Sequence, residues 1–259
     1  MAFVGARLTG RALADFPGTI PATLAAGYAV QDAAIARWPD RIGGWKVGYI
    51  APAQRDVSGD DRLVGPIFSR AIWPSMPGQP ARFPVFVGGF AAVEAEYIFR
   101  LGAEVAGAEP GDANAALARV AAMYVGVETA GSPLASINQL GPTVVVSDFG
   151  NNAGLIVGTE ILDWKTAMAS DLACSTFIDG VEVGRGGAAS VPGGLAAALA
   201  FALQCCARRG IALPEGTLIT TGAATGIHDI RAGQSARVAF EGIGHIDCQA
   251  VAASAMPRA

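Results

Sequence analysis

The chain has very few of the residues on which many hydrolytic and metal sites depend. Among its 259 residues there are only two histidines, His228 and His245, and four cysteines without Cys-x-x-Cys spacing. Little material is therefore left for a zinc cluster or for a Ser-His-Asp triad. We expect both histidines to be surface or loop residues. We expect the cysteines, including the adjacent Cys205 and Cys206, to be small buried side chains.

Clustered positive charge and long apolar runs are also missing. The net charge is -4, and no segment concentrates basic residues beyond Arg208 and Arg209. Nucleic acid is therefore not an expected partner. The most hydrophobic segment, residues 195–207, is shorter than the roughly 20 residues of a membrane-spanning helix. The first residues show no apolar stretch of signal-peptide length. We therefore expect a cytoplasmic protein that does not bind a membrane.

The sequence does contain many short β-favouring runs between turn signals. Helical spacing of apolar residues predicts helices over residues 21–38, 112–122 and 194–208, and Asp179-Gly180 predicts a hairpin turn. Residues 51–82 are rich in Pro and Gly and predict a long loop. The runs predicted as strands are VFVGGF, EAEYIF, MYVGVE, TVVVSDF, GLIVG, STFI, VEV, GTLITTG, SARVAFEG and HIDCQAV.

The arrangement of these runs indicates the fold class. Strands are not evenly interleaved with helices, which favours an α+β fold, a mixed β-sandwich or roll, over a doubly wound parallel sheet. A small, partly helical N-terminal region would cover residues 1–80 and a β-rich region residues 81–259. The two regions can also form one domain.

Two acids lie one residue apart at the end of an apolar run, in the stretch VEAEYIF. In a strand, Glu94 and Glu96 share a face. They can belong to a solvated strand face, where two carboxylates cost nothing, or they can converge on a cation. A third acid, Glu128, ends the similar run MYVGVE. Three carboxylates without His or Cys favour a hard cation, Mg²⁺ or Mn²⁺.

Lysine is rare as well. Only Lys46 and Lys165 are present among 18 basic residues, so arginine carries nearly all the positive charge. A lysine that is desolvated or near a metal can lose its proton, which suits it to acid-base work. Lys46 lies between glycines in GGWKVG and is our candidate for that role. The alternative is a lysine that extends from a strand edge into solvent.

Motifs spread along the chain resemble those of the 2-keto-4-pentenoate hydratases. This hydratase and decarboxylase branch belongs to the fumarylacetoacetate hydrolase superfamily, and the resemblance extends along nearly the whole chain. No single motif is diagnostic, but their order and spacing are fairly specific. The motifs are GYAVQ, GWKVG, VEAE, VGVET, SDFGNNAGLIVG and ALPEGTLITTGAATG followed by IRAGQSARVAFEGIG.

The resemblance implies a fold, a metal site and site residues. It implies the superfamily's mixed β-sandwich or roll, a divalent metal held by Glu94, Glu96 and Glu128, and Lys46 as a proton-transfer residue. A 2-oxo acid would be the small-molecule substrate and the enzyme would be a homo-oligomer. A loop from about residue 56 to residue 70 is expected to close over the ligand.

Other candidate residues follow from single motifs. Thr221 and Gly222 end the strand TLITTG and are candidates for binding the substrate carboxylate. Asp148, in the SDFG motif, and Tyr49, next to GWKVG, are further candidates for substrate binding. Ser69 stands where the family usually has an acid and is a candidate catalytic residue, although serine cannot act as a carboxylate base at neutral pH.

Four functions remain open at this point. The first is a hydratase that converts a 2-hydroxy-2,4-dienoate or 2-oxo-enoate to a 4-hydroxy-2-oxo acid. The second is a decarboxylase of a 2-oxo-3-enedioate, which needs less of a general base and tolerates Ser69 better. The third is a C–C bond hydrolase of the acylpyruvate type. The fourth is a non-catalytic partner subunit of such an enzyme.

Overall fold

A computed structural model describes residues 2–106, 111–168, 170 and 172–255. Its helices are α1 (Ala2–Thr9), α2 (Leu24–Ile35), α3 (Ala113–Leu117), α4 (Pro142–Ser147), α5 (Trp164–Ala167) and α6 (Leu195–Arg208). Its strands are β1 (Ile42–Tyr49), β2 (Arg62–Phe68), β3 (Ile72–Pro74), β4 (Ala81–Val85), β5 (Phe90–Leu101), β6 (Val120–Ser132), β7 (Asn152–Glu160), β8 (Cys174–Ile178), β9 (Val181–Gly186), β10 (Leu218–Thr220), β11 (His228–Asp229), β12 (Ser235–Phe240) and β13 (Gly244–Ala252).

The strands form two mixed sheets. The larger sheet has the order β2-β1-β10-β5-β6-β7-β3, with β11 also paired to β5, and the smaller has the order β4-β13-β12-β8-β9. The largest hydrophobic cluster joins both sheets and α6. Tyr97 of β5, for example, packs edge-on against Phe240 of β12 with ring centroids 5.8 Å apart. The prediction of an α+β fold with a mixed β-sandwich or roll is confirmed.

Several predicted elements are confirmed with small changes at their ends. The helix predicted over residues 21–38 is α2, and its N-cap Thr23 accepts a hydrogen bond from the backbone N–H of Ala26. The helix predicted over residues 194–208 is α6. Asp179 and Gly180 join β8 to β9 with φ of 48° and 80°, as a two-residue hairpin turn of this composition requires.

The prediction of a long loop over residues 51–82 is wrong for the central part of that range. That region contains β2, β3 and the start of β4, and all seven residues of β2 are buried. Pro66 had favoured a loop, but β2 is the edge strand of its sheet, where a missing backbone N–H is tolerated. Because residues 62–68 are a buried strand, the segment from residue 56 to residue 70 is not one continuous lid.

Two other predicted elements are corrected by tertiary context. The run TVVVSDF, predicted as a strand, begins with the short helix α4, which has Pro142 at its first position and buries Val144 and Val146. The helix predicted over residues 112–122 is limited to α3, and β6 already begins at Val120. Burial of the valines outweighs their local preference in α4, and pairing with β5 does so at the start of β6.

The scarce residues lie largely as expected. All four cysteines are buried and none forms a disulfide. His245 is mostly exposed, and His228 is half-buried in β11. Among the described helices none combines the length and apolar character needed to cross a bilayer. The division at residue 80 stays a prediction, and strands from both sides of it share the larger sheet.

Candidate active site

Three glutamates converge at the middle of the larger sheet. In β5 the side chains of Glu94 and Glu96 share a face, and Glu128 of β6 lies directly opposite Glu94 in the antiparallel register. One carboxylate oxygen from each residue lies within 4.8 Å of the others. All three residues are buried. The solvated-face alternative is therefore excluded, and the convergence predicted from the strand period is observed.

Backbone and side-chain donors hold two of these carboxylates in place. Glu96 Oε2 accepts hydrogen bonds from the backbone N–H groups of Thr221 at 3.0 Å and Gly222 at 2.7 Å. Gly222 has φ of 101°, a conformation that favours glycine. Glu128 Oε1 accepts from Asn152 Nδ2 at 3.0 Å. Such second partners orient the ligands of a metal site.

Each of the three carboxylates has one buried oxygen without a hydrogen-bond partner. Glu94 Oε1, Glu96 Oε1 and Glu128 Oε2 are buried without a hydrogen bond. An unpaired buried carboxylate oxygen is costly, and three at one place are costlier still because their charges repel. A divalent cation with oxygen ligands removes both costs. The residues present therefore fit a Mg²⁺ or Mn²⁺ ion.

Lys46 supplies the only cation in contact with the triad among the described residues. It is buried in β1, and its Nζ lies 3.2 Å from Glu128 Oε1. The alternative of a lysine extending from a strand edge into solvent is therefore excluded.

Burial and mutual repulsion shift the protonation of this group. Burial, followed by the charge of Glu128, raises the pKa of Glu94 to about 8. Burial, followed by the charges of Glu128 and Glu94, also raises the pKa of Glu96 well above its usual range. Burial alone would lower the pKa of Lys46, but the three glutamates outweigh it and the pKa is raised. Lys46 is therefore protonated at neutral pH in this arrangement.

A cavity of about 530 Å³ opens beside the triad. Lys46, Glu94, Thr221, Gly222 and Tyr49 line it, so the structure brings these five candidates together. The polar lining includes residues that the sequence reasoning did not select. These are Gln54, Arg62, Asn138, Asn151, Arg185, Ser190 and Thr225.

Thr221 and Gly222 line the cavity as expected, but their donors have another partner than a substrate carboxylate. Their backbone N–H groups are directed at Glu96, and the Thr221 hydroxyl donates to the carbonyl of Tyr97. These donors orient a carboxylate of the triad, so they are not free to bind the carboxylate of a substrate. Tyr49 is about half exposed at the cavity and accepts a hydrogen bond from Arg55.

Two candidates lie away from the cavity. Ser69 follows β2, next to the end of β1 that carries Ile42, whereas Lys46 pairs with Gly65. It is not among the residues that line the cavity. Asp148 instead accepts hydrogen bonds from Arg7, with Nε at 2.6 Å, and from the Ser132 hydroxyl. The geometry supports neither a catalytic Ser69 nor a substrate-binding Asp148.

Removing the charge of Asp148 is expected to destabilise the fold. In Asp148→Asn the buried Arg7 guanidinium, only 7% exposed, loses its counter-ion while keeping its bonds to backbone carbonyls. Breaking a buried ion pair from one side costs about 3–5 kcal/mol. Urea unfolding of the variant and of an Asp247→Asn control, which loses an exposed pair, measures the difference. Equal losses in the two variants would contradict this role.

The segment that joins Asp148 to Asn152 was not predicted to contribute to the cavity beyond Asp148. Phe149, Gly150 and Asn151 all have positive φ, of 57°, 65° and 65°. This backbone passes so close to β2 that a β-carbon on Gly65 would collide with the carbonyl oxygen of Phe149. The signal in the sequence was the pair of asparagines after Phe-Gly in SDFGNN.

Comparison with known proteins gives structural likeness only. No family model matches the chain, and no curated protein sequence matches it. Among solved structures, the 4-oxalocrotonate decarboxylase from Pseudomonas putida G7 complexed with magnesium and adipate superposes with a TM-score of 0.78 at 21% identity. The match covers 96% of this chain and 95% of that one. The same enzyme complexed with calcium and acetate gives 0.76.

A hydrolase is similar over a shorter part of the chain. The fumarylpyruvate hydrolase from Pseudomonas aeruginosa, in complex with Mn²⁺ and pyruvate, gives a TM-score of 0.61 at 17% identity. The match covers 83% of this chain and 91% of that one. At such identities the likeness shows a shared fold. The chain therefore has the fold of the fumarylacetoacetate hydrolase superfamily, the group that its motifs resemble.

Proposed function

We propose that the chain is a divalent-metal-dependent hydratase that converts a 2-hydroxy-2,4-dienoate or 2-oxo-enoate to a 4-hydroxy-2-oxo acid. The observation that carries the proposal is the buried triad with one unpaired oxygen on each carboxylate, next to a buried lysine and an open cavity. Glu94, Glu96 and Glu128 would hold Mg²⁺ or Mn²⁺. The ion would supply a Lewis acid that a 2-oxo acid can chelate and that stabilises negative charge on the 2-oxo oxygen.

Lys46 is the residue of the chain that can transfer a proton to the bound substrate. Lys46 holds a proton on Nζ, 3.2 Å from Glu128, and is the candidate donor to the carbon skeleton. Apolar residues, among them Ile50, Val145 and Val191, also line the cavity. Among the described residues that line the cavity, Glu94 is the only one with a carboxylate. Proton transfer therefore depends on Lys46.

Charge balance favours a substrate with one carboxylate. A divalent cation together with Lys46 matches the charge of the three glutamates. Both arginines in the described lining already have acidic partners. Arg62 donates to Asp61 at 2.6 and 2.7 Å, and Arg185 donates to Glu182 at 3.1 and 3.2 Å. A second substrate carboxylate would have to compete with these partners.

A decarboxylase of a 2-oxo-3-enedioate is the second candidate. The observation that favours it is the similarity over nearly the full length to 4-oxalocrotonate decarboxylase, including the N-terminal region. Loss of CO₂ also needs less of a general base, which agrees with a cavity whose described lining has no carboxylate besides Glu94. In this case Arg62 or Arg185 would exchange its acidic partner for the second carboxylate of the substrate.

Two substrates distinguish the candidates. Purified protein with Mg²⁺ is incubated with 2-hydroxypenta-2,4-dienoate and, separately, with a 2-oxo-3-enedioate, while ultraviolet absorbance and products are followed. Formation of 4-hydroxy-2-oxopentanoate supports the hydratase, and release of CO₂ supports the decarboxylase. Cleavage of an acylpyruvate instead would identify a C–C bond hydrolase. No turnover of any substrate by metal-loaded protein would favour a non-catalytic partner subunit.

The stabilisation by Mg²⁺ is expected to increase with pH. Because the pKa of Glu94 is raised to about 8, the metal-free folded chain binds more protons than the unfolded chain above about pH 4. The metal-free protein therefore loses stability as the pH rises towards 8. The cation binds the deprotonated carboxylates, so below that pH it must displace the bound protons and stabilises the fold less. Melting temperatures with and without Mg²⁺ at about pH 6 and about pH 9 test this. The same increment at both pH values would contradict it.

A further inference from the structure

One of the residues that line the cavity has a buried acceptor that the proposed metal site does not use. Of the cavity-lining residues that the structure describes, only Glu94 and Asn151 have a buried side-chain polar atom without a hydrogen-bond partner. In Asn151 this atom is Oδ1, and the residue is 3% exposed. An acceptor left unpaired at such a place carries the cost of its lost hydration. A ligand donor in the cavity would remove that cost.

A hydrogen bond fixes the orientation of the Asn151 amide. Its Nδ2 donates to Asn138 Oδ1 at 3.0 Å, and Asn138 also lines the cavity. The backbone of Asn151 has φ of 65°, and Phe149, two residues earlier, has φ of 57°, which is unusual for a bulky residue. Backbone strain of this kind persists where the surrounding structure imposes it, and it is concentrated at functional sites.

The position of Asn151 in the chain places it next to the reactive groups. A β-carbon on the preceding Gly150 would lie 3.2 Å from Lys46 Cδ. The following residue, Asn152, donates to Glu128 Oε1. Asn151 is therefore preceded by a residue that lies close to the candidate proton donor and followed by a residue that contacts the metal triad. It lines the same cavity as Lys46 and Glu94.

We propose that Asn151 Oδ1 accepts a hydrogen bond from a hydroxyl group of the ligand, the 4-hydroxyl of a 4-hydroxy-2-oxo acid. The inference rests on the proposed function, because it takes the 2-oxo carboxylate end to be bound at the metal. It adds the residue that distinguishes a ligand with a 4-hydroxyl group from a ligand without one. The carbonyl oxygen of an amide accepts from a hydroxyl without taking its proton, so the role of Asn151 is binding and positioning.

A pair of ligands that differ by one hydroxyl group measures this contact. Calorimetric titration of the Mg²⁺-loaded full chain gives Kd for 4-hydroxy-2-oxopentanoate and for 2-oxopentanoate. We expect the wild type to bind the hydroxylated acid about ten-fold more tightly or better, the usual range for relieving one unpaired buried acceptor. In Asn151→Gly, which tolerates the positive φ, the preference should fall to about one. The affinity for 2-oxopentanoate should change little.

A second variant separates the contact from a general disturbance of the site. Asn151→Asp keeps an acceptor oxygen at the same place but adds a negative charge, so both ligands should bind more weakly while the preference for the hydroxylated acid is retained. An unchanged preference in Asn151→Gly, or no preference in the wild type, would overturn the inference alone. A wild-type chain that binds neither acid in the presence of Mg²⁺ would overturn the proposed function and this inference with it.

Discussion

Glu96→Gln is expected to abolish metal-dependent turnover while leaving the fold intact. The glutamine oxygen can still accept from the backbone N–H groups of Thr221 and Gly222, so the local structure is preserved. The other oxygen, which has no partner, is replaced by an NH₂ group that cannot bind a cation. We expect turnover to fall by about 10³-fold or more, which corresponds to about 4 kcal/mol of transition-state stabilisation.

The stability of the metal-free protein provides an independent readout of the same substitution. Burial and the charges of Glu128 and Glu94 disfavour the ionised form of Glu96, so the neutral amide should raise the melting temperature of the metal-free chain at alkaline pH. The increase on adding Mg²⁺ should be lost. Glu215→Gln, at an exposed position, is the matched control and should change neither quantity. Full Mg²⁺ stabilisation of Glu96→Gln would contradict the triad.

Lys46→Met is expected to lose turnover but keep metal binding. The substitution removes the Nζ proton and retains the apolar stem within β1, so proton transfer should be slowed by about 10²–10⁴-fold. Removal of a positive charge next to Glu128 should leave Mg²⁺ affinity unchanged or increased. Lys46→Arg should not restore activity, because a guanidinium does not give up its proton in this range.

The same change should destabilise the metal-free chain. Three buried carboxylates are left without a cation, and breaking a buried pair from one side costs about 3–5 kcal/mol. Saturating Mg²⁺ should restore most of the loss, because the cation supplies the missing charge. Urea unfolding with and without Mg²⁺ measures both effects, and Lys165→Met, at an exposed position, is the control. Lost metal binding together with lost activity would assign Lys46 a structural role.

The triad could be predicted because its geometry is local to two strands. Side chains two residues apart in a strand share a face whatever the rest of the molecule does, so Glu94 and Glu96 converge once β5 is a strand. Glu128 was found by the same kind of run ending in an acid. The scarcity of lysine directed attention to Lys46. The α+β class followed from the density and order of strand-forming runs.

Errors in the predicted elements came from places where burial opposes local preference. The residues of β2 include Gly65 and Pro66 and indicate a loop by themselves, but the strand is held by its pairing with β1 and by burial of all its residues. The run of valines in α4 favours a strand, yet it forms a helix packed against α2. Such outcomes depend on contacts between segments far apart in sequence.

The choice among the polar candidates depended on long-range pairing alone. Asp148 and Ser69 were also candidates from their motifs, but Asp148 is held by Arg7, 141 residues away, and Ser69 lies near the other end of β1. The donors of Thr221 and Gly222 are directed at Glu96, 125 and 126 residues away. Asn151 lies at the site because Gly150 before it passes close to Lys46 and Asn152 after it contacts Glu128. Strand period determines which carboxylates converge, whereas hydrogen-bond partners distant in sequence decide which other groups are left free for a ligand.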